Sequence, residues 1–128
     1  MAYQIFWRVP QQLLCLELEG DLSITDFNYI NQAVIDHLGV ETANRPVALV
    51  VDITRPGHIS TAVAQLRETQ TYVLRRDLSV ILVVGNNKLL RLMLLLTFNL
   101  CRPSLKFFDT MDEALNSYFV KQWRLKRK

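Results

Sequence analysis

With 128 residues, half of them apolar, the chain has room for one domain with a real core. Four glycines and four prolines exclude a disordered or collagen-like chain, and no apolar run reaches the ~20 residues of a membrane helix. The formal net charge of +3 is uneven: Lys121, Arg124, Lys126, Arg127 and Lys128 crowd the last eight residues without an acid, leaving ten bases against twelve acids elsewhere.

Tyr3, Ile5, Trp7 and Val9 alternate with Gln4, Phe6 and Arg8, the period of an edge strand. Pro10-Gln11-Gln12 makes a turn. Leu14, Leu16 and Leu18 then share one face of a second strand, with Leu13, Cys15, Glu17 and Glu19 on the other, so that the two strands form an antiparallel hairpin ended by Gly20-Asp21. Ser23 and Asp26 have the spacing of a capping box. Phe27, Ile30, Val34 and Leu38 follow as one helical stripe, and Gly39 stands where a helix stops.

After a loop over residues 41–46 comes Val47-Ala48-Leu49-Val50-Val51, five apolar residues in a row, as in a central strand covered on both faces. Asp52 marks its exit from the core, Pro56-Gly57 a turn, and Ser60 the cap of a second helix reaching Arg75. Ser79 to Val84 is another buried strand. Asn86 or Asn87 caps a third helix over Lys88 to Phe98, apolar on almost every side. Ser104 to Phe108 is a short strand, and Thr110 with Glu113 opens a last helix whose core face is Met111, Ala114, Leu115, Tyr118 and Phe119. The order ββαβαβαβα predicts an α/β domain with a mixed, mostly parallel sheet of about five strands and four helices. The domain is expected over residues 1–123, with 124–128 as a basic tail that frays or meets an acidic surface.

Cys15 and Cys101 have neither metal-ligand nor redox spacing, and the first residues lack the pattern of a secretory signal, so reduced thiols in a cytoplasmic protein are expected. No His/Cys/carboxylate cluster has metal spacing, and no cofactor motif is present, so none of either is expected. His58 lies near Asp52, Ser60 and Thr61, but G-x-S-x-G is absent and a polar loop is the plainer reading. Gly85-Asn86-Asn87-Lys88 is a weak candidate for an anion at a helix start. No aromatic-interleaved basic patch outside the tail suggests nucleic-acid binding.

Two stretches resemble the sulfate-transporter and anti-sigma-factor-antagonist (STAS) domains, of the SpoIIAA-like fold. One is Val50-Val51-Asp52-Ile53-Thr54 through Ile59-Ser60-Thr61-Ala62-Val63, similar to an apolar strand, a loop, and Asp-Ser-Ser-Gly opening a helix. The other runs from Leu90 to Leu115 and includes Phe107-Phe108-Asp109-Thr110-Met111-Asp112-Glu113-Ala114-Leu115, similar to the family's closing helix–strand–helix. The resemblance implies a bacterial, regulatory, non-enzymatic module that binds a protein partner, such as an anti-sigma-factor or kinase-like regulator. It implies a phospho-acceptor at Thr61, with Ser60 beside it. Here Ser60 replaces the family Asp and Val63 the Gly, so the acceptor site is degenerate. The partner-binding loop is then Asp52, Thr54, His58, Ser60 and Thr61. Leu92, Leu95 and Leu96 mark an apolar interface for a homodimer or a partner. The alternative is a small apolar-ligand or lipid-binding domain on the same fold.

Overall fold

In the computed structural model, which describes residues 3–39, 47–59, 69, 78–97 and 104–127 (side chains of 56–59 and 121–127 excepted), the strands form one five-stranded sheet. The strands are β1 (Tyr3–Val9), β2 (Leu13–Leu22), β3 (Val47–Ile59), β4 (Leu78–Val84) and β5 (Ser104–Phe108), and the sheet keeps that order. The β1–β2 pair is antiparallel and the other three pairs are parallel. The described helices are α1 (Ile24–Leu38), α2 (Lys88–Thr97) and α3 (Met111–Arg127). The expected helix between Ser60 and Arg75 lies outside the described residues, except that Thr69 is helical and buried.

Alternation along the strands divides the core in two. Leu14, Leu16, Leu49, Val51, Ile81 and Val83 turn to the face covered by α1 and α2. Leu13, Cys15, Ala48, Val50, Leu82 and Val84 turn to the face covered by α3. Both α1 and α2 close parallel crossovers that advance across the sheet in the same direction. Right-handed crossovers of that kind put their helices on the same face, as observed. The last helix closes no crossover, and it packs on the opposite face through Ala114 and Tyr118.

Local signals explain the helix ends. Ser23 Oγ accepts from the Asp26 N–H, and Asp26 Oδ2 accepts from the Ser23 N–H at 2.8 Å, a complete capping box. Phe27, Ile30, Val34 and Leu38 are all buried. Gly39, at φ +46, donates its N–H to the Ile35 carbonyl at 3.0 Å and ends the helix in a conformation that suits glycine. Thr110 Oγ1 accepts from the Glu113 N–H at 3.2 Å to start α3.

Three expectations need correction. The second strand does not end at Gly20-Asp21 but continues to a buried Leu22. The central strand does not turn at Pro56-Gly57, because β3 runs through them to Ile59. Past Asp52 it has left β4 behind and, among the described residues, pairs with β2 alone, with register shifts between Glu17 and Glu19 and between Gly20 and Leu22. A one-sided, bulged strand is where proline is tolerated. Phe119 is not a core residue of α3 but is 48% exposed, since the sheet-facing stripe is Met111, Ala114, Leu115 and Tyr118. In addition, α3 continues through Arg127, so residues 124–127 are helical in backbone.

Cys15 is fully buried on the α3 face of β2. Burial pushes its thiol up from 9.0 to about 11; the Arg8 guanidinium opposes this, and Glu17 and Asp52 add to it. Burial also raises the Tyr118 hydroxyl. Both groups fold in their neutral forms with raised pKa values. Their contribution is therefore complete below the unfolded value and is lost as pH rises through the folded one. Urea unfolding should show stability falling between about pH 9 and 11, and Cys15→Ala should flatten part of that fall. Equal pH dependence in the two chains would contradict the burial argument, as would rapid labelling of Cys15 by iodoacetamide in the native chain at neutral pH.

Candidate functional site

Ligand and partner sites of open α/β sheets gather at the carboxyl ends of the strands. Here that rim is built from the ends of β3, β4 and β5. Asp52 lies between Glu17 of β2 and Val84 of β4 in the sheet register. Its Oδ1 accepts the Thr54 N–H at 2.9 Å and the Thr54 hydroxyl at 2.6 Å. The carboxylate therefore holds the chain two residues ahead, at the point where β4 no longer supports it. Thr54 and Arg55 are exposed.

Gly85 follows β4 at φ +140, and a Cβ there would stand 2.7 Å from Ile53 Cγ1. Glycine alone lets the β4–α2 turn close onto β3. The Gly85 N–H donates to the Phe108 carbonyl at 2.8 Å, and the Gly85 carbonyl accepts from Arg91 Nε at 2.6 Å. Arg91 Nη2 donates to Asp109 Oδ1 at 2.9 Å, and the guanidinium lies 5.5 Å from the centroid of the Phe107 ring. One side chain thus ties the turn after β4 to the turn after β5. Helical spacing gives Arg91 no role; its only signal is a second cation, after Lys88, one turn into an apolar helix. Asn87 Oδ1 accepts the Leu90 N–H at 3.1 Å, so Asn87 rather than Asn86 caps α2, and one of the amides offered to an anion already has a partner.

From this rim α2 runs back along the sheet with its leucines divided. Leu90 is buried, and Met93 and Leu94 pack partly against the core. Leu89, Leu92, Leu95 and Leu96 are 66, 51, 48 and 44% exposed. Thr97, which reads as a polar exception, is buried; its hydroxyl donates to the Met93 carbonyl at 2.6 Å and needs no other partner. The three residues expected at an apolar interface, Leu92, Leu95 and Leu96, therefore all lie on the outer side.

Of the expected partner loop, the structure brings together Asp52 and Thr54. His58 is in the backbone of β3 and its side chain is not described; Ser60 and Thr61 lie outside the described residues. The His58–Ser60 arrangement accordingly has no observed geometry. His37, in the last turn of α1, donates Nδ1–H to the Ala33 carbonyl at 2.7 Å and lies 6.3 Å from the Trp7 ring, between centroids. No group of three or more His, Cys, Asp or Glu among the described residues could hold a metal ion. No helix among them is long and apolar enough to cross a membrane.

Two solved structures share this architecture over nearly its whole length. One is an uncharacterized protein of the DUF3478 family with a SpoIIAA-like fold from Shewanella loihica PV-4, with 17% identity, a TM-score of 0.65 and 90% of each chain covered. The other is the anti-sigma factor antagonist SpoIIAA in its unphosphorylated form, with 14% identity and a TM-score of 0.59, covering 91% of this chain and 97% of that one. No protein-family model and no curated protein matches the chain.

Asp52→Ala should loosen the rim without opening the core. Its two bonds are solvent-facing, so the expected loss is about 1 kcal/mol, below the ~1.5–3 of a well-shielded bond to a charge. Asp52→Asn keeps the Oδ1 acceptor and should lose less. Equal urea midpoints for Asp52→Ala and the parent chain would show that the carboxylate holds nothing.

Proposed function

We propose that this chain, which has the SpoIIAA-like fold, is a non-enzymatic interaction module that regulates by binding a protein partner. The observation that carries the reading is the outer face of α2. Four leucines stand exposed on a ten-residue helix that starts at the carboxyl rim of the sheet. Large apolar surface left in water on a small domain marks an interaction site. One solved neighbour is an anti-sigma factor antagonist, which supports a partner of the anti-sigma-factor or kinase-like class. The leucines point outward rather than into an enclosed space, which favours a macromolecular partner over a small apolar ligand.

A second copy of the chain is one such partner, joined about a two-fold axis, the commonest closed arrangement. Leu92→Glu and Leu96→Glu fall on the exposed side, so neither should unfold the chain. Light scattering should show a dimer for the parent chain and a folded monomer for either variant. A monomeric parent chain would remove the homodimer and leave the face to another protein.

The acceptor position is proposed to persist as part of the binding surface while the switch itself is lost. A phosphate on Thr61 would add nearly two negative charges to that surface. The family residues on either side of it are, however, replaced by Ser60 and Val63. Phosphoproteomics of the protein isolated from its host should find neither Thr61 nor Ser60 modified across several growth conditions. Substantial phosphate on Thr61 would restore a regulated switch.

A further inference from the structure

We propose that the C-terminal end of α3 is a peripheral anchor for anionic lipid surfaces. Among the described side chains, those that α3 gives to the core, Met111, Ala114, Leu115 and Tyr118, lie in its first half. Beyond them Phe119 and Val120 are 48 and 47% exposed, and the helix backbone continues to Arg127. That continuation and the residue after it contain Lys121, Arg124, Lys126, Arg127 and Lys128, no acid, and Trp123 one helical turn after Phe119. A helix that mixes exposed aromatic and aliphatic residues with dense positive charge suits the boundary between headgroups and acyl chains. There the apolar groups leave water and the bases meet anionic headgroups.

The charge balance orients the molecule. With these five bases set aside, the rest of the chain carries ten bases and twelve acids and is repelled by an anionic surface. The net attraction is therefore concentrated at this end. A nucleic acid would use the same bases, but it offers Val120 no apolar phase to enter. The contact is peripheral, since no described helix is long and apolar enough to span a bilayer.

The test uses the full chain with Trp7→Phe, so that Trp123 is the single tryptophan, and vesicles of phosphatidylcholine with or without phosphatidylglycerol. The chain should sediment with the anionic vesicles, its emission should shift to the blue, and high salt should reverse both. Arg124→Gln with Arg127→Gln should weaken partitioning about 25-fold, roughly fivefold for each base. Phe119→Ser should weaken it with no change in charge. Far-UV circular dichroism confirms that each variant is folded. Absence of sedimentation would overturn the proposal, as would equal partitioning into neutral vesicles. So would binding lost in Leu92→Glu but kept in the α3 variants, which would place the contact on α2. Equally tight binding of a duplex oligonucleotide, unaffected by Phe119→Ser, would replace lipid with nucleic acid.

Discussion

The structure depends on β3 being covered on both faces. Ala48 and Val50 turn to the α3 side, while Val47, Leu49, Val51 and Ile53 turn to the side of α1 and α2; all are at most 3% exposed. Burying such a side chain is worth about 1.5–3 kcal/mol, so this short stretch accounts for much of what holds the two cores to one sheet. The same strand locates the rim. As long as β4 runs beside it, β3 has partners on both sides; after Asp52 it has one among the described residues. Asp52, Thr54 and Gly85 lie at that change: the Asp52 carboxylate holds Thr54, and Gly85 lets the β4–α2 turn close onto Ile53.

Much of this was legible in the sequence where a single physical cause acts. The run from Val47 to Val51, the stripe Phe27, Ile30, Val34 and Leu38, the box of Ser23 and Asp26, and Gly39 each have one structural solution, and each is found. Pro56-Gly57 misled because its effect depends on pairing. The two residues stop a strand with neighbours on both sides, but this strand has one described neighbour there and two register shifts. That information resides in the length of β4, about thirty residues away in the chain.

The face of α2 was illegible for the opposite reason. When nearly every position is apolar, periodicity selects no side. Thr97 satisfies its own hydroxyl within the helix and can be buried, leaving four leucines in water. Arg91 has no signal of its own because its role needs partners in two segments distant in the chain: the Gly85 carbonyl after β4, and Asp109 with the Phe107 ring at the end of β5. Phe119 has helical spacing to Leu115, but the sheet-facing stripe turns through Ala114 and Tyr118, which leaves Phe119 to the side of it and half exposed. Of the candidate site, Asp52 was legible as a local acceptor, since a carboxylate at a strand's end readily takes up the amide two residues on.

The strand order of the sheet is the same as the order of the chain. No strand has to insert between two that are already paired. Each pairing joins a strand to the one made just before it, first across a tight hairpin and then across one connection at a time. Loop-closure entropy is therefore spread over several short spans rather than concentrated in one long one. During synthesis the sheet can grow from its amino-terminal edge as the polypeptide emerges, every new strand meeting a template already in place. The last to arrive, β5, is the shortest at five residues and carries Lys106, so growth ends on an edge poorly suited to recruiting a strand from another molecule.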